Sequence, residues 1–321
     1  MISVVIATIN RSNELREISL PSLLGQDIDD FEVIVWDASK DDLSLGVVRD
    51  MEPLFREKGV SLTFHRAPRR GSASQRNDAV KSAKGRIVFF MDDDSEVSPD
   101  GIRGLSDCFG KYPYAMGAGL VVQEVVDGMN LSEPRSATEK LKDRFYRLAG
   151  YKRTRKVHPS GTAKGLWAGP GPAEWLSGCS MAFRRQVFDD IRFNERMETF
   201  GPYASGEDIE FSHRVFLKYG EPLRIAEKGM LVHRPSPVPR FPVNERYVAA
   251  RILNRYLIMK ASSVRSPVIG RLGYCWFLIK NFVAMPYRYG LRTALQGFAM
   301  ALGRFSEIRV KEEPARQKEK N

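Results

Sequence analysis

Four short β-prone segments alternate with helical patterns through the first 110 residues, and this alternation restricts the fold more than any other feature. Ile2–Thr8, Glu32–Asp37, Ser61–His65 and Ile87–Asp92 are rich in β-branched and aromatic residues, as strands are. Glu14–Leu24 and Ser72–Lys84 carry helical spacing between them. Alternating β and α units predict an α/β fold: a mostly parallel central sheet with helices on both faces and ligands outside the carboxyl ends of the strands. Asn10, Asp37 and the Asp92–Asp94 cluster all fall at such ends.

The fourth segment, Arg86-Ile-Val-Phe-Phe-Met-Asp92-Asp93-Asp94, runs from an apolar strand directly into three carboxylates. Three like charges beside a buried strand are costly unless a cation or hydrogen-bond donors compensate them. Mg²⁺ and Mn²⁺ favour such an oxygen-rich set and keep positions for water and phosphates. The plainer reading is a turn or helix-cap cluster, since Ser98-Pro99-Asp100 opens a helix nearby. No G-x-x-x-x-G-K-[ST] loop is present, and Gly117-Ala-Gly119 lacks the third glycine of a dinucleotide fingerprint.

With 321 residues, 43% of them hydrophobic, the chain can bury one large α/β domain with an appendage, or two domains. Cys108, Cys179 and Cys275 are odd in number and far apart. They give neither a disulfide framework nor a zinc spacing, which points to a reducing, cytosolic setting. The opening Met1-Ile-Ser-Val-Val-Ile-Ala-Thr8 lacks the basic region of a signal peptide and reads as the first strand. No run of about 20 uninterrupted apolar residues occurs, so no spanning helix is expected.

Charge is uneven. Arg234–Arg309 holds 13 Lys or Arg against Glu245 and Glu307, a balance of +11 that equals the net charge of the whole chain. The tail 310–321, polar from Lys311 onward, is expected to be disordered. Lys140–Lys156 carries eight Lys or Arg, and the Gly/Pro-rich Pro159–Pro172 follows, either a substrate loop or a plain surface excursion. Trp167 and Trp175 flank that stretch and suit stacking on a sugar or base, or a place in the core.

Glu207 and Asp208 follow the chain breakers Pro202, Ser205 and Gly206 and precede helical spacing at Phe211, Val215 and Phe216. They therefore sit at a helix N-terminus, as a catalytic base or as an ordinary acidic first turn. Gly229-Met-Leu-Val-His233 is a short strand ending in a histidine, structural or metal-binding.

Together these segments resemble a family-2 inverting glycosyltransferase with the GT-A fold. The resemblance rests on Val4–Arg11 with Ser22–Gln26, Val33–Ser39, Gly71–Asn77, Asp92–Asp94, Trp175–Gly178 with Arg184, Arg185 and Phe188, Glu207-Asp208 and His233, in order over about residues 2–235. It implies a nucleotide-sugar-binding half over 1–115 and an acceptor-binding, catalytic half over 116–239. Thr8, Asn10 and Asp37 would line the nucleoside pocket, with Asp37 accepting from a pyrimidine N–H. Arg76, Asn77, Asp92 and Asp93 would serve the donor side, Asp92 at the ribose or the metal shell. Asp94 and His233 would bind Mn²⁺ or Mg²⁺. Asp208 would be the general base with Glu207 beside it, and Trp175, Gly178 and Arg214 would face the acceptor. The donor would be a UDP-, dTDP- or GDP-sugar, and the acceptor a glycan or a lipid-linked hydroxyl, as in polysaccharide biosynthesis. Two positions depart from the pattern: Trp36 stands where relatives carry an acid, and Gln75 where they carry alanine.

The basic segment 240–309 resembles the family only loosely. Tyr247–Met259 and Gly273–Met285 are apolar enough for interfacial helices beside an anionic membrane; the alternative is that they pack on the catalytic domain. No nucleic-acid motif accompanies the charge. A nucleotidyltransferase of similar fold and a non-catalytic basic adaptor are the competing functions.

Overall fold

A computed structural model of the chain describes residues 1–126, 129–130, 155–165, 169–201, 205–235, 242–264 and 266–318. Most of the basic run 140–156, Trp167 and Pro202 lie outside the described residues. Two compact units divide the chain: 1–157, 163–193 and 208–238 form the first, and 158–162, 194–207 and 239–321 form the second. The second unit is thus more than the C-terminal segment, since two short stretches from the preceding region join it.

The first unit is built on one sheet. β1 (Ile2–Thr8) lies between β2 (Phe31–Asp37) and β4 (Ile87–Met91), parallel to both, with Ile2 opposite Phe31 and Ile87. β3 (Ser61–Arg66) continues parallel beside β2. Beyond β4, β8 (Met181–Arg184) inserts antiparallel between β4 and β6 (Gly117–Val126). β9 (Leu223–His233) pairs parallel with β6 and antiparallel with both β5 (Ser95–Val97) and β7 (Gly171–Ala173).

Strand alternation sorts the core onto two faces. Val4, Ile6, Val33, Val35 and Phe89 pack on one face, and Val5, Ile34, Trp36, Val88 and Phe90 on the other, as period-two side chains in a doubly covered sheet must. Trp36 therefore belongs to the core; its ring stacks on His65 with centroids 4.9 Å apart, and only its neighbour Asp37 turns to the opposite face.

Helices α1 (Leu43–Glu57), α2 (Ser72–Ala79), α3 (Gly101–Lys111) and α4 (Glu207–Tyr219) accompany the strands. The segment read as one helix over Glu14–Leu24 is broken into a wider turn at Leu15–Ser19 before it continues at Leu20–Leu24. Pro21 is the physical reason: it has no N–H to give to the carbonyl four residues back.

The second unit is helical, with α5 (Glu245–Ser262), α6 (Pro267–Tyr289) and α7 (Leu291–Lys318). Asn244 caps α5 by accepting from the N–H groups of Arg246 and Tyr247. α5 is buried along most of its length, including Val248, Ile252, Leu253 and Met259. Tyr247–Met259 is therefore a core helix of its unit rather than an interfacial one. α7 crosses α5 at Gly297, where a Cβ would meet the Val248 side chain at 2.5 Å.

α6 has 23 residues and, by length and composition alone, is apolar enough to cross a bilayer, although Arg271, Lys280 and Arg288 interrupt it. α7 runs as far as Lys318.

Candidate functional site

The ends of β1, β2 and β4 meet around the three aspartates. β1 ends at Thr8, whose hydroxyl donates to Asp93 Oδ2 at 2.6 Å. Asn10 holds φ +55°, a left-handed turn that asparagine tolerates, and its N–H donates to Ser39 Oγ at 2.7 Å. The turn delivers Arg11 into the cluster: Nη1 donates to Asp93 Oδ1 at 2.8 Å and also to Asp94. Arg11 is buried. Burial alone would lower its pKa, but Asp93 and Asp94 raise it beyond the ordinary arginine value.

Asp37 is fully buried. Its Oδ1 accepts from the N–H and hydroxyl of Ser39, and its Oδ2 accepts from Arg66 Nη1 at 2.9 Å. Arg66, which holds this carboxylate, is itself 36% exposed. Gln75, the departure in α2, donates through its one amide to the carbonyls of Thr8 and Trp36, both at 3.0 Å. It thereby ties the end of β1 to the end of β2.

Asp92, Asp94 and His233 place one ligand atom each within 4.8 Å of one another. His233 Nε2 lies 3.3 Å from Asp94 Oδ1 and 4.0 Å from Asp92 Oδ2, while Nδ1 faces Glu124 at 3.8 Å. The pairing of β9 with β5 and β6 sets His233 opposite Ser95 and Glu124. Burial would raise the Asp94 carboxyl, but His233 and Arg11 hold it well below the usual range. Burial would lower the His233 imidazolium, but Asp94, Asp92 and Glu124 raise it. Two carboxylates and an imidazole suit a hard or borderline divalent ion with positions left for other oxygens. The donor set therefore fits Mn²⁺ or Mg²⁺.

Asp208 opens the first unit's part of α4. Its Oδ2 accepts from the Gly178 N–H at 2.8 Å and its Oδ1 from the Ile209 N–H at 2.8 Å. Arg76, on α2, reaches both sides: Nη2 lies 3.3 Å from Asp92 Oδ1 and 3.4 Å from the Gly178 carbonyl. A hydrogen-bonded path thus runs from Asp92 through Arg76 and the Gly178 peptide to Asp208. Glu207, next to Asp208 in the chain, is buried.

Three residues expected at the site are engaged elsewhere. Asn77 donates to the Phe193 carbonyl at 3.0 Å and accepts from its N–H at 2.9 Å, a backbone clamp rather than an open donor contact. Arg214 grips Glu210 at 2.9 Å and the Arg192 carbonyl at 2.6 Å. It stands six residues beyond Asp208, about 120° round the helix. Trp175 is buried, with the Arg155 guanidinium 5.4 Å above its ring. Arg155 is 1% exposed; burial lowers its pKa to about 10, against the opposing influence of Cys179 and Asp208.

Sequence reading did not single out Arg11, Gln75, Glu124 or Arg155 as site residues. Arg11 had a local signal, a basic residue directly after the turn that ends the first strand, and Gln75 had one as a departure within the Gly71–Asn77 motif. The others come to the cluster through pairings far apart in the chain.

The profile of a family described as glycosyl transferase family 2 matches residues 3–192. A relative from Campylobacter jejuni, the GalNAc(5)-diNAcBac-PP-undecaprenol beta-1,3-glucosyltransferase, is 29% identical over 96 residues, 30% of this chain and 30% of its own length. The chain therefore aligns with less than a third of that relative. S. aureus TarS 1–349 in complex with UDP-GlcNAc superposes with a TM-score of 0.59 at 19% identity, covering 95% of this chain and 80% of that one. The mannosyltransferase PcManGT from Pyrobaculum calidifontis, in complex with GDP-Man and Mn2+, gives a TM-score of 0.51 at 20% identity, with 94% and 75% covered. At such identities the solved structures speak for the fold alone, which is GT-A. Since the profile spans more than half its length, the chain belongs to glycosyl transferase family 2.

Proposed function

We propose that this chain is a metal-dependent inverting glycosyltransferase that moves a sugar from a nucleoside diphosphate to a hydroxyl of a glycan or lipid-linked acceptor. The observation that carries the reading is the path from Asp92 through Arg76 and Gly178 to Asp208, which couples an acidic cluster to a carboxylate at a helix start. Asp92, Asp94 and His233 would hold Mn²⁺ or Mg²⁺, which when bound supplies Lewis-acid charge for the leaving diphosphate. Asp208 takes the proton from the acceptor hydroxyl as that oxygen forms its bond to the anomeric carbon. The bond from that carbon to the diphosphate oxygen breaks on the opposite face, and a single displacement inverts the centre. Asp37, with Thr8 and Asn10 at the same strand ends, receives the nucleoside.

The solved neighbours hold UDP-GlcNAc in one case and GDP-Man with Mn2+ in the other, which supports a nucleotide-sugar donor carrying UDP or GDP. The name of the curated relative contains an undecaprenol-linked glycan, which supports a lipid-linked substrate; a peripheral position on the inner face of the cell membrane is our reading of the basic segment and of the cysteine pattern. The test is incubation with nucleotide sugars, Mn²⁺ or Mg²⁺ and hydroxyl acceptors, with analysis of both products. Release of a nucleoside diphosphate with an inverted linkage is expected. Release of pyrophosphate would identify nucleotidyl transfer instead.

A further inference from the structure

We infer that the exposed face of α6, continued by the start of α7, is a docking surface for an anionic lipid layer, in which it lies rather than spans. This rests on the peripheral-membrane part of the function above and specifies which side chains make the contact. Leu272, Trp276, Ile279, Val283 and Tyr287 recur at intervals of three and four along α6 and are all exposed, Trp276 by 59% and Tyr287 by 95%. That spacing keeps them on one side of a helix. Leu291 and Leu295 add exposed apolar side chains at the start of α7. So many large exposed hydrophobics in one unit exceed the scattered apolar residues of an ordinary soluble surface.

The opposite side of α6 is occupied by protein. Gly270, Tyr274 and Met285 are buried, and the Tyr274 hydroxyl donates to the Ile252 carbonyl of α5 at 3.1 Å. At Gly273 a Cβ would meet Ser160 at 2.5 Å, so that side cannot turn outward without unpacking the unit. A helix clad by protein on one side and bare on the other suits an interface, where one face meets acyl chains and the flanks meet headgroups.

Charge decides the occupant. From Arg246 to Ser306 there are ten Lys or Arg and no Asp or Glu. Arg271, Lys280 and Arg288 stand exposed on α6, and Lys280 Nζ lies 5.8 Å over the Trp276 ring. A second copy of the chain would set its own exposed Arg271 and Lys280 against the same charges, which opposes self-association through this face. An anionic lipid surface supplies the opposite sign and accepts the apolar side chains together, with Trp and Tyr suited to the headgroup level.

The full chain would be sedimented with vesicles of phosphatidylcholine alone and with vesicles containing phosphatidylglycerol. Binding to the anionic vesicles, weakened by salt, is expected. Trp276→Glu combined with Ile279→Glu should abolish it, and Arg271→Gln combined with Lys280→Gln should weaken it on the order of tenfold or more. Metal-dependent nucleotide stabilisation in a thermal-shift assay should be unchanged in both variants, which shows that they fold and separates this inference from the catalytic reading. Equal binding by wild type and the Trp276/Ile279 variant, or no binding to anionic vesicles, overturns the docking surface. Retention in the lipid pellet after alkaline carbonate overturns the interfacial orientation in favour of a span. A dimer that the Trp276/Ile279 variant dissociates overturns lipid as the occupant.

Discussion

Gly178 and Asp208, thirty residues apart, are joined by a 2.8 Å hydrogen bond from the Gly178 N–H to the Asp208 carboxylate. A backbone donor cannot change rotamer, so it fixes one oxygen of that carboxylate and leaves the side chain little freedom to rotate. Asp208→Asn keeps the shape and removes the proton acceptor. The expected result is a fall in kcat of about 10²- to 10⁴-fold, with the KM for the donor nearly unchanged. Steady-state kinetics at varied donor would check this, and near-normal turnover would remove Asp208 as the base.

Arg11 is the cation that compensates Asp93 and Asp94. Arg11→Met leaves two buried carboxylates facing each other and should destabilise the metal-free protein by about 3–5 kcal/mol. Mn²⁺ should restore part of that loss, because a bound ion supplies the missing charge and stabilises the fold by mass action. Denaturant unfolding with and without the ion tests both parts. An equal loss in the two conditions would mean that Mn²⁺ does not bind beside these aspartates.

The ion pair of Asp94 and His233 has a pH signature. His233 is raised above its ordinary value, so the stability it contributes to the metal-free fold is full below about pH 6.5 and fades as pH climbs above that value. Asp94 is lowered, so its contribution is full above about pH 4 and fades as pH falls below it. Metal binding needs the neutral imidazole and must expel its proton. Metal affinity should therefore increase with pH through the neutral range, and the increase should vanish in His233→Gln. Calorimetric titration with Mn²⁺ at several pH values would show it; a flat profile in the wild type contradicts the assignment of His233 as a ligand.

Asn77 makes two hydrogen bonds to the Phe193 backbone. Asn77→Ala should lower stability by about 1–3 kcal/mol, the usual consequence of leaving buried partners unpaired. The KM for the nucleotide sugar should stay close to wild type. A large rise in KM without a change in unfolding midpoint would return Asn77 to the donor pocket.

The strands of the first 110 residues were legible because each is short, apolar and bounded. Ile2–Thr8 coincides with β1, and the other three differ from their strands by one residue at an end. Asp92, Asp94 and His233 carried their own signal, carboxylates and a histidine at strand ends. The use made of Asn77, Arg214 and Trp175 was not legible. Phe193, Glu210 and Arg155 capture them, and a motif does not encode which neighbour a side chain meets. Arg214 shows the limit well, since its grip on Glu210 is an ordinary helical pair that any sequence could contain. In the basic segment the more apolar helix, α6, is the bare one, and the more charged α5 is buried, which packing decides and composition does not.

The insertion of β8 between β4 and β6 also bears on how such a chain can be recombined. β8 comes from the later half of the sequence, yet Met181 pairs with Phe90 on the strand that leads to Asp92. The two halves are interleaved in one continuous sheet and share no seam. A domain shuffle at residue 115 would expose an open edge on β4 and take away the strand that shields it. Any replacement for the later half would therefore have to bring its own strand to pair with β4.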